Sequence, residues 1–199
     1  MTATLDVRVT AREPMVRGYV ILDSAAYFRS RSETTQRRFD EELPLPLRMA
    51  FDAIKPNDFY PRRHHAELLA AVARGRHGDN ALYNDLLQCG AQLAVPDNYF
   101  SKLLLQVLTP QLFVQKLPKL WNRDHRDEGR LELESIDLQT SSAKLRLAGV
   151  AGYTHGAVVW LGWIKQVLVE LACSRAEVLQ SGWTWTSPEP SDISYEVRW

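Results

Sequence analysis

The feature that most constrains this chain is a change of hydrophobic period near residue 130. In RLELESIDL, Leu131 and Leu133 alternate with charged neighbours, and in AKLRL, Leu145 and Leu147 do the same, which suits strands with one buried face. With QTSS between them, the two segments predict a β-hairpin. Trp160, Ile164, Val167, Leu168 and Leu171 then fall at helical spacing, and the stretch 176–186 and the alternation Ile193, Tyr195, Val197, Trp199 predict two more strands. Upstream, apolar residues recur at three and four. This order predicts an α+β fold, with a helical N-terminal part packed on a bent antiparallel sheet that runs β-β-α-β-β at the C-terminus.

The 199 residues read as a single domain. Residues 1–14 are expected to form an extended arm, because Leu5, Val7 and Val9 alternate with polar neighbours. Residues 29–42, RSRSETTQRRFDEE, read as a polar connection, 43–125 as mainly helical, and 130–199 as the sheet plus one helix. In the helical part, Leu45 to Ile54 predict a short helix closed by Pro56, and Tyr60-Pro61 open a second whose face carries Leu68, Leu69 and Val72. Leu82, Leu86, Cys89 and Leu93 mark a third helix, starting at Asp79, and Phe100 to Leu108 make another apolar face. Thr109-Pro110 supply an N-cap and a first-turn proline for a helix that Pro118 is expected to kink or end before Trp121.

Composition narrows the partners. Lys plus Arg and Asp plus Glu number 24 each, so net charge favours neither nucleic acid nor an anionic membrane. Cys89 and Cys173 lie far apart with no Cys-x-x-Cys, which argues against a disulfide framework or a zinc site and fits a reducing cytoplasm. The first twenty residues carry Asp6, Arg8, Arg12, Glu13 and Arg17 and no long apolar run, so no secretory signal is expected. Leu147 to Ile164 is uncharged over 18 residues, but Gly149, Gly152 and Gly156 in its first half read as a loop and not as part of a membrane span.

Motifs for chemistry are sparse. Ser24, Ser101 and Ser181 all lack the Gly-x-Ser-x-Gly turn of a hydrolytic nucleophile, and the glycines at 149, 152 and 156 have neither phosphate-loop nor dinucleotide spacing. His64 and His65 are sequence neighbours and project about 100° apart on a helix, so they cannot share a metal and are expected in solvated or capping roles. Asp124, Asp127 and Glu128, interleaved with Arg123, His125 and Arg126, read as a solvated loop with local ion pairs. His155 opens the tryptophan-bearing helix after a glycine-rich turn, where a helix N-terminus can hold an anion.

The segments LWNRDHRDEGRLELESIDLQTSSAKLRLAG, GWIKQVLVELACSRAEV and SYEVRW, with FYPRRHHAELLAAVA and LTPQLFVQKLPKLW before them, resemble a family of proteins of similar length and unassigned function that is expanded in myxobacteria. That family is similar to the superfamily of four-vinyl-reductase-type sensor domains, haem-nitric-oxide-binding domains and vesicle-tethering TRAPP subunits. The resemblance implies helices on a strongly bent antiparallel sheet, often enclosing a ligand. It also exposes two departures. Where many of the sensor domains carry a cysteine-bearing zinc motif, this chain has GWTWTSPEPSDISYEV, with no Cys or His. The haem-binding branch uses an axial histidine and a Tyr-x-Ser-x-Arg motif, and no such spacing occurs here. The comparison therefore implies a module without haem, metal or other cofactor.

Six tryptophans remain to be placed: Trp121, Trp160, Trp163, Trp183, Trp185 and Trp199. Most are expected to fill the core between helix and sheet. Trp183 and Trp185 share one strand face, however, and Trp160 and Trp163 are three apart on one helix, so both pairs can wall a cavity or an interface. The reading that follows is a non-enzymatic, cytoplasmic module that binds a small hydrophobic ligand or a protein partner in signalling or regulation. Its pocket is expected among Trp160, Trp163, Ile164, Trp183, Trp185 and His155. A homodimer is expected, paired through the edge of the N-terminal arm. Two alternatives stay open: an enzyme using His155 with a carboxylate of the 124–128 loop, and a purely structural scaffold.

Overall fold

Two antiparallel sheets and seven helices make up the described part of the chain. The computed structural model describes residues 13–74, 79–94, 108–181 and 192–199. Most of the expected arm at 1–14, most of the apolar face at 100–108, and both Trp183 and Trp185 lie outside the described residues.

The larger sheet has the order β4-β5-β7-β6 and contains β4 (Arg130–Asp137), β5 (Ser142–Ala148), β6 (Glu177–Ser181) and β7 (Asp192–Arg198). The expected hairpin is present: Leu131 pairs with Leu147 and Leu133 with Leu145, and Leu145 and Leu147 pair in turn with Tyr195 and Ile193. One face of the sheet is thereby apolar. A smaller sheet, β2-β1-β3, joins β1 (Met15–Arg17) to β2 (Phe59–Pro61) and β3 (His125–Arg126). It brings the start of the helical part against the segment that leads into the larger sheet.

The helices are α1 (Gly18–Arg29), α2 (Glu33–Glu42), α3 (Leu45–Ala50), α4 (Arg62–Arg74), α5 (Asp79–Ala94), α6 (Pro110–Asp124) and α7 (Thr154–Glu170). Helix α2 lies where a polar connection was expected. The Ser32 hydroxyl accepts from the Thr35 N–H, and Phe39 is buried among α1 and its neighbours. One apolar anchor in ten residues leaves no period to read, so the helix is held by its cap and by packing. Pro118 lies inside α6 and does not end it before Trp121, since the helix runs on to Asp124. The proline removes one backbone hydrogen bond, and burial of Leu117 and Trp121 on either side offsets that loss.

Helix α7 separates two cores. Ala157, Leu161, Ile164 and Leu168 face the sheet, together with Phe113, Leu117 and Trp121 of α6. Val158 and Val159 face the opposite core, formed by α1 to α5. A helix buried on both sides is apolar nearly all round, which explains the long uncharged stretch without a membrane. Among the described residues no helix is long and apolar enough to cross one. Helix α5 touches α7 backbone to backbone: a Cβ on Gly90 would lie 1.9 Å from the Val159 carbonyl oxygen, and one on Gly162 would lie 2.2 Å from that of Leu87.

Candidate functional site

A group of polar residues is buried where α1, α4, α6, α7 and the small sheet meet. Ser24 sits mid-helix in α1, Arg62 and His65 on the first turn of α4, and Tyr153 at the N-cap of α7. From the end of α6 come Trp121 and Asp124, followed by His125 in β3 and Glu128 in the turn before β4. Gly129 makes that turn possible. Its φ is +36°, and a Cβ there would lie 2.0 Å from the Ala148 carbonyl oxygen, so a side chain would push Glu128 off its seat.

His65 is held at both ring nitrogens. Nε2 lies 3.0 Å from the Ser24 hydroxyl and Nδ1 lies 2.6 Å from the Tyr153 hydroxyl. Burial, helped by the nearby His125, lowers the His65 pKa to about 3, so the ring is neutral and each hydroxyl complements one of its nitrogens. His125 stacks flat on Trp121 at 3.8 Å between ring centroids, and burial lowers its pKa to about 4. Its Nδ1 meets the Trp121 carbonyl, and its Nε2 is buried without a hydrogen-bond partner. The Trp121 indole N–H donates to the Glu128 carbonyl at 3.2 Å.

Two arginines neutralise the buried carboxylates. Arg123 donates to both oxygens of Asp124 at 2.7 Å, with Arg17 4.0 Å away, and Tyr19 is drawn to the same group, its phenol pushed up by burial and then by Asp124. Arg62 donates to Glu128 Oε1 at 2.5 Å and to the Ala151 carbonyl at 3.1 Å, and its guanidinium lies 5.3 Å from the centre of the Tyr153 ring. Between these groups and α7 lies a cavity of about 40 Å³. Its polar lining is Tyr19, His65, Asp124 and Tyr153, and its apolar lining includes Val159, Trp160, Trp163, Leu93 and Val20. That space exceeds what one water needs and is mostly apolar.

Of the residues singled out from the sequence, Trp160 and Trp163 line this cavity, with ring centroids 5.3 Å apart. Ile164 is wholly buried in the sheet-side core, and His155, half-buried on the first turn of α7, does not line the cavity. His65 is not solvated, contrary to expectation: it is 1% exposed. A periodic signal was available, because His65 precedes Leu68, Leu69 and Val72 by three, four and seven residues on the buried face. Asp124 and Glu128 are likewise buried, not solvated. Asp124 follows Leu117 and Trp121 on the buried face of α6, and the tight turn at Gly129 tucks Glu128 under Arg62.

Ser24 and His65 match a nucleophile and base in type and distance. Ser24 is 0% exposed in mid-helix, and the group orienting His65 is a phenol and not a carboxylate, so this pair serves packing and hydrogen bonding. Among the described residues no cluster of three or more His, Cys, Asp or Glu is arranged to hold a metal ion.

The arrangement of helices on the β4-β5-β7-β6 sheet recurs in solved structures. The Fe(II) unliganded H-NOX protein from K. algicida superposes with a TM-score of 0.61 over 92% of this chain and 95% of its own, at 10% identity. The chain has the H-NOX fold. A second H-NOX structure, from work on haem distortion in that family, gives 0.60 over 92% of this chain and 94% of that one, at 12% identity. An oxygen-binding H-NOX domain related to soluble guanylate cyclases, as its oxygen complex, gives 0.57 over 91% and 92%, at 11% identity. No protein-family model and no curated protein matches the sequence.

The H-NOX fold raises haem as a possible occupant, and the described residues do not fit it. The aromatic cavity holds about 40 Å³, whereas sites for organic cofactors run to roughly 300 Å³ or more. His65, the histidine that faces this space, has both nitrogens engaged, and the backbone contact of α5 with α7 at Gly90 and Gly162 leaves no slot between those helices for a flat ring.

Proposed function

We propose that this chain is a haem-free, non-enzymatic ligand-binding module of the sensor type, acting in signalling or regulation in the cytoplasm. The observation that carries this reading is the cavity lined by Trp160 and Trp163 together with His65 and Tyr153, the neutral His65 being held by Ser24 and Tyr153. Its charged neighbours are already paired, Asp124 with Arg123 and Glu128 with Arg62. The ligand is therefore small and uncharged, a few heavy atoms in size, and a lipid tail is too long for about 40 Å³. One of the H-NOX neighbours binds oxygen and another comes from work on haem distortion, and that likeness in fold supports a ligand-binding reading, here for a space lined by side chains.

Xenon tests the site because it enters small apolar cavities without needing a polar contact. Under xenon pressure, amide signals of Val20, Leu93 and Val159 are expected to shift saturably, and Val20→Phe, which fills the space, to abolish the response. Wild-type protein that shows no saturable shift at those residues overturns the reading. We also propose a homodimer, since β4 and β6 are the outer strands of the larger sheet. Light scattering near the 22.7 kDa chain mass at tens of micromolar would contradict it.

A further inference from the structure

The Arg62–Glu128 pair has a geometry that packing alone does not require. One guanidinium on α4 reaches three partners from two other segments: Glu128 Oε1, the Ala151 carbonyl and the face of Tyr153. Three residues further along α4, His65 binds the Tyr153 hydroxyl. The wall of the cavity that carries Tyr153 is thus held to α4 at two points, and one of them depends on a carboxylate. Glu128 itself is 3% exposed, and while Oε1 meets Arg62, Oε2 is buried with no hydrogen-bond partner. A buried carboxylate with one paired and one orphan oxygen is half-satisfied, and a proton on the orphan oxygen removes the uncompensated charge.

We propose that Glu128 and Arg62 form a proton-operated latch that sets how firmly Tyr153 closes the cavity. This inference rests on the reading of that cavity as the ligand site. With Glu128 ionised, Arg62 is drawn in and holds Ala151 and Tyr153. With Glu128 neutral, the ion pair is lost, Arg62 relaxes, and the wall around Tyr153 loosens. The charged and titratable groups facing Glu128 are Arg62 from α4 and Tyr153 from the N-cap of α7, and the charge of Arg62 also acts on His125 of β3. Both buried histidines stay neutral well below neutrality, and the Tyr153 phenol is pushed up by burial, so neither competes for the proton. Burial raises the Glu128 carboxyl to about 7 with Arg62 pulling it only part of the way back, which puts the latch at physiological pH.

The test is an NMR pH titration of the whole chain with carbon-13 in the glutamate carboxyls, run from pH 5 to 9. The expected result is a Glu128 midpoint near 7, with the Trp121 indole N–H and the Ala151 amide shifting at the same midpoint. Glu128→Gln keeps the shape and should silence both reporters. Arg62→Lys keeps the charge but gives up the second donor, so the Ala151 response should vanish while Glu128 still titrates. In the wild type, xenon should bind several-fold more tightly at pH 8 than at pH 6, and in Glu128→Gln the affinity should be flat. A Glu128 midpoint below 5, or reporter shifts that persist in Glu128→Gln, overturns the latch. Should Glu128→Gln not fold, the wild-type midpoint and Arg62→Lys still decide. Absence of xenon binding at every pH would remove the ligand site, while the carboxyl titration would still judge the latch by itself.

Discussion

His65 and Tyr153, 88 positions apart in sequence, are joined by a 2.6 Å hydrogen bond that ties the helical half of the molecule to the helix crossing the sheet. Both groups are fully buried, so neither can turn to water if its partner is removed. Tyr153→Phe keeps the ring, and with it the contacts to Arg62 and His125, but leaves the His65 Nδ1 unsatisfied. It should cost about 1–3 kcal/mol in urea denaturation. A change below a few tenths would show that the hydrogen bond carries no stability.

The backbone contact between α5 and α7 makes a second prediction. Alanine in place of glycine ordinarily favours a helix by about 1 kcal/mol. At Gly90 the new methyl would stand 1.9 Å from a carbonyl oxygen, so the two helices must separate. Gly90→Ala should therefore destabilise by about 1–3 kcal/mol or more. A rise in melting temperature would mean that the helices are not in contact.

The buried histidines and Glu128 act on acid stability with opposite signs. His65 and His125 have folded values of about 3 and about 4, below the free value of 6.5, so between pH 6.5 and 4 the unfolded chain gains protons the folded one refuses. Their contribution to stability is present above 6.5 and is lost as pH falls. Glu128 is raised to about 7 from 4.5, so in the same window the folded chain holds a proton that the unfolded one lacks, and its contribution grows as pH falls. With two terms against one, stability should drop by about 1.4 kcal/mol per pH unit between 6 and 5. In Glu128→Gln the slope should double, as read from denaturation midpoints across pH. An unchanged slope would place Glu128 in contact with water.

Trp163 lines the cavity, touches Phe113 at 5.7 Å between centroids and is only partly buried. Trp163→Ala should cost less than the roughly 3–5 kcal/mol of a tryptophan buried in a closed core, and should weaken saturable quenching of the remaining tryptophans by small uncharged probes. Trp121, 0% exposed and stacked on His125, should cost the full amount. Equal losses at the two positions would make Trp163 a core residue.

The period-two alternation of Leu131, Leu133, Leu145 and Leu147, and the helical spacing from Trp160 to Leu171, made the α+β order, the hairpin and the central helix legible in the sequence, but not the register shift between Leu133 and Ser135. Those features depend on contacts close in sequence or on the need of one face to leave water, and both leave a periodic trace. The same trace runs through His65 and Asp124, whose positions belong to buried faces even though their side chains are polar. Hydropathy reads such residues as solvated unless their periodicity is given the greater weight. That Ser24, His65 and Tyr153 meet, that Glu128 lies under Arg62, and that Trp160 and Trp163 share a cavity with residues of α1, α4 and the end of α6 was settled by tertiary packing alone. These partners come from segments 41 to 88 residues apart, and a polar group becomes buried only where a distant group satisfies it. Periodicity within one element says which face turns inward. It carries no information about which polar atom waits on the other side.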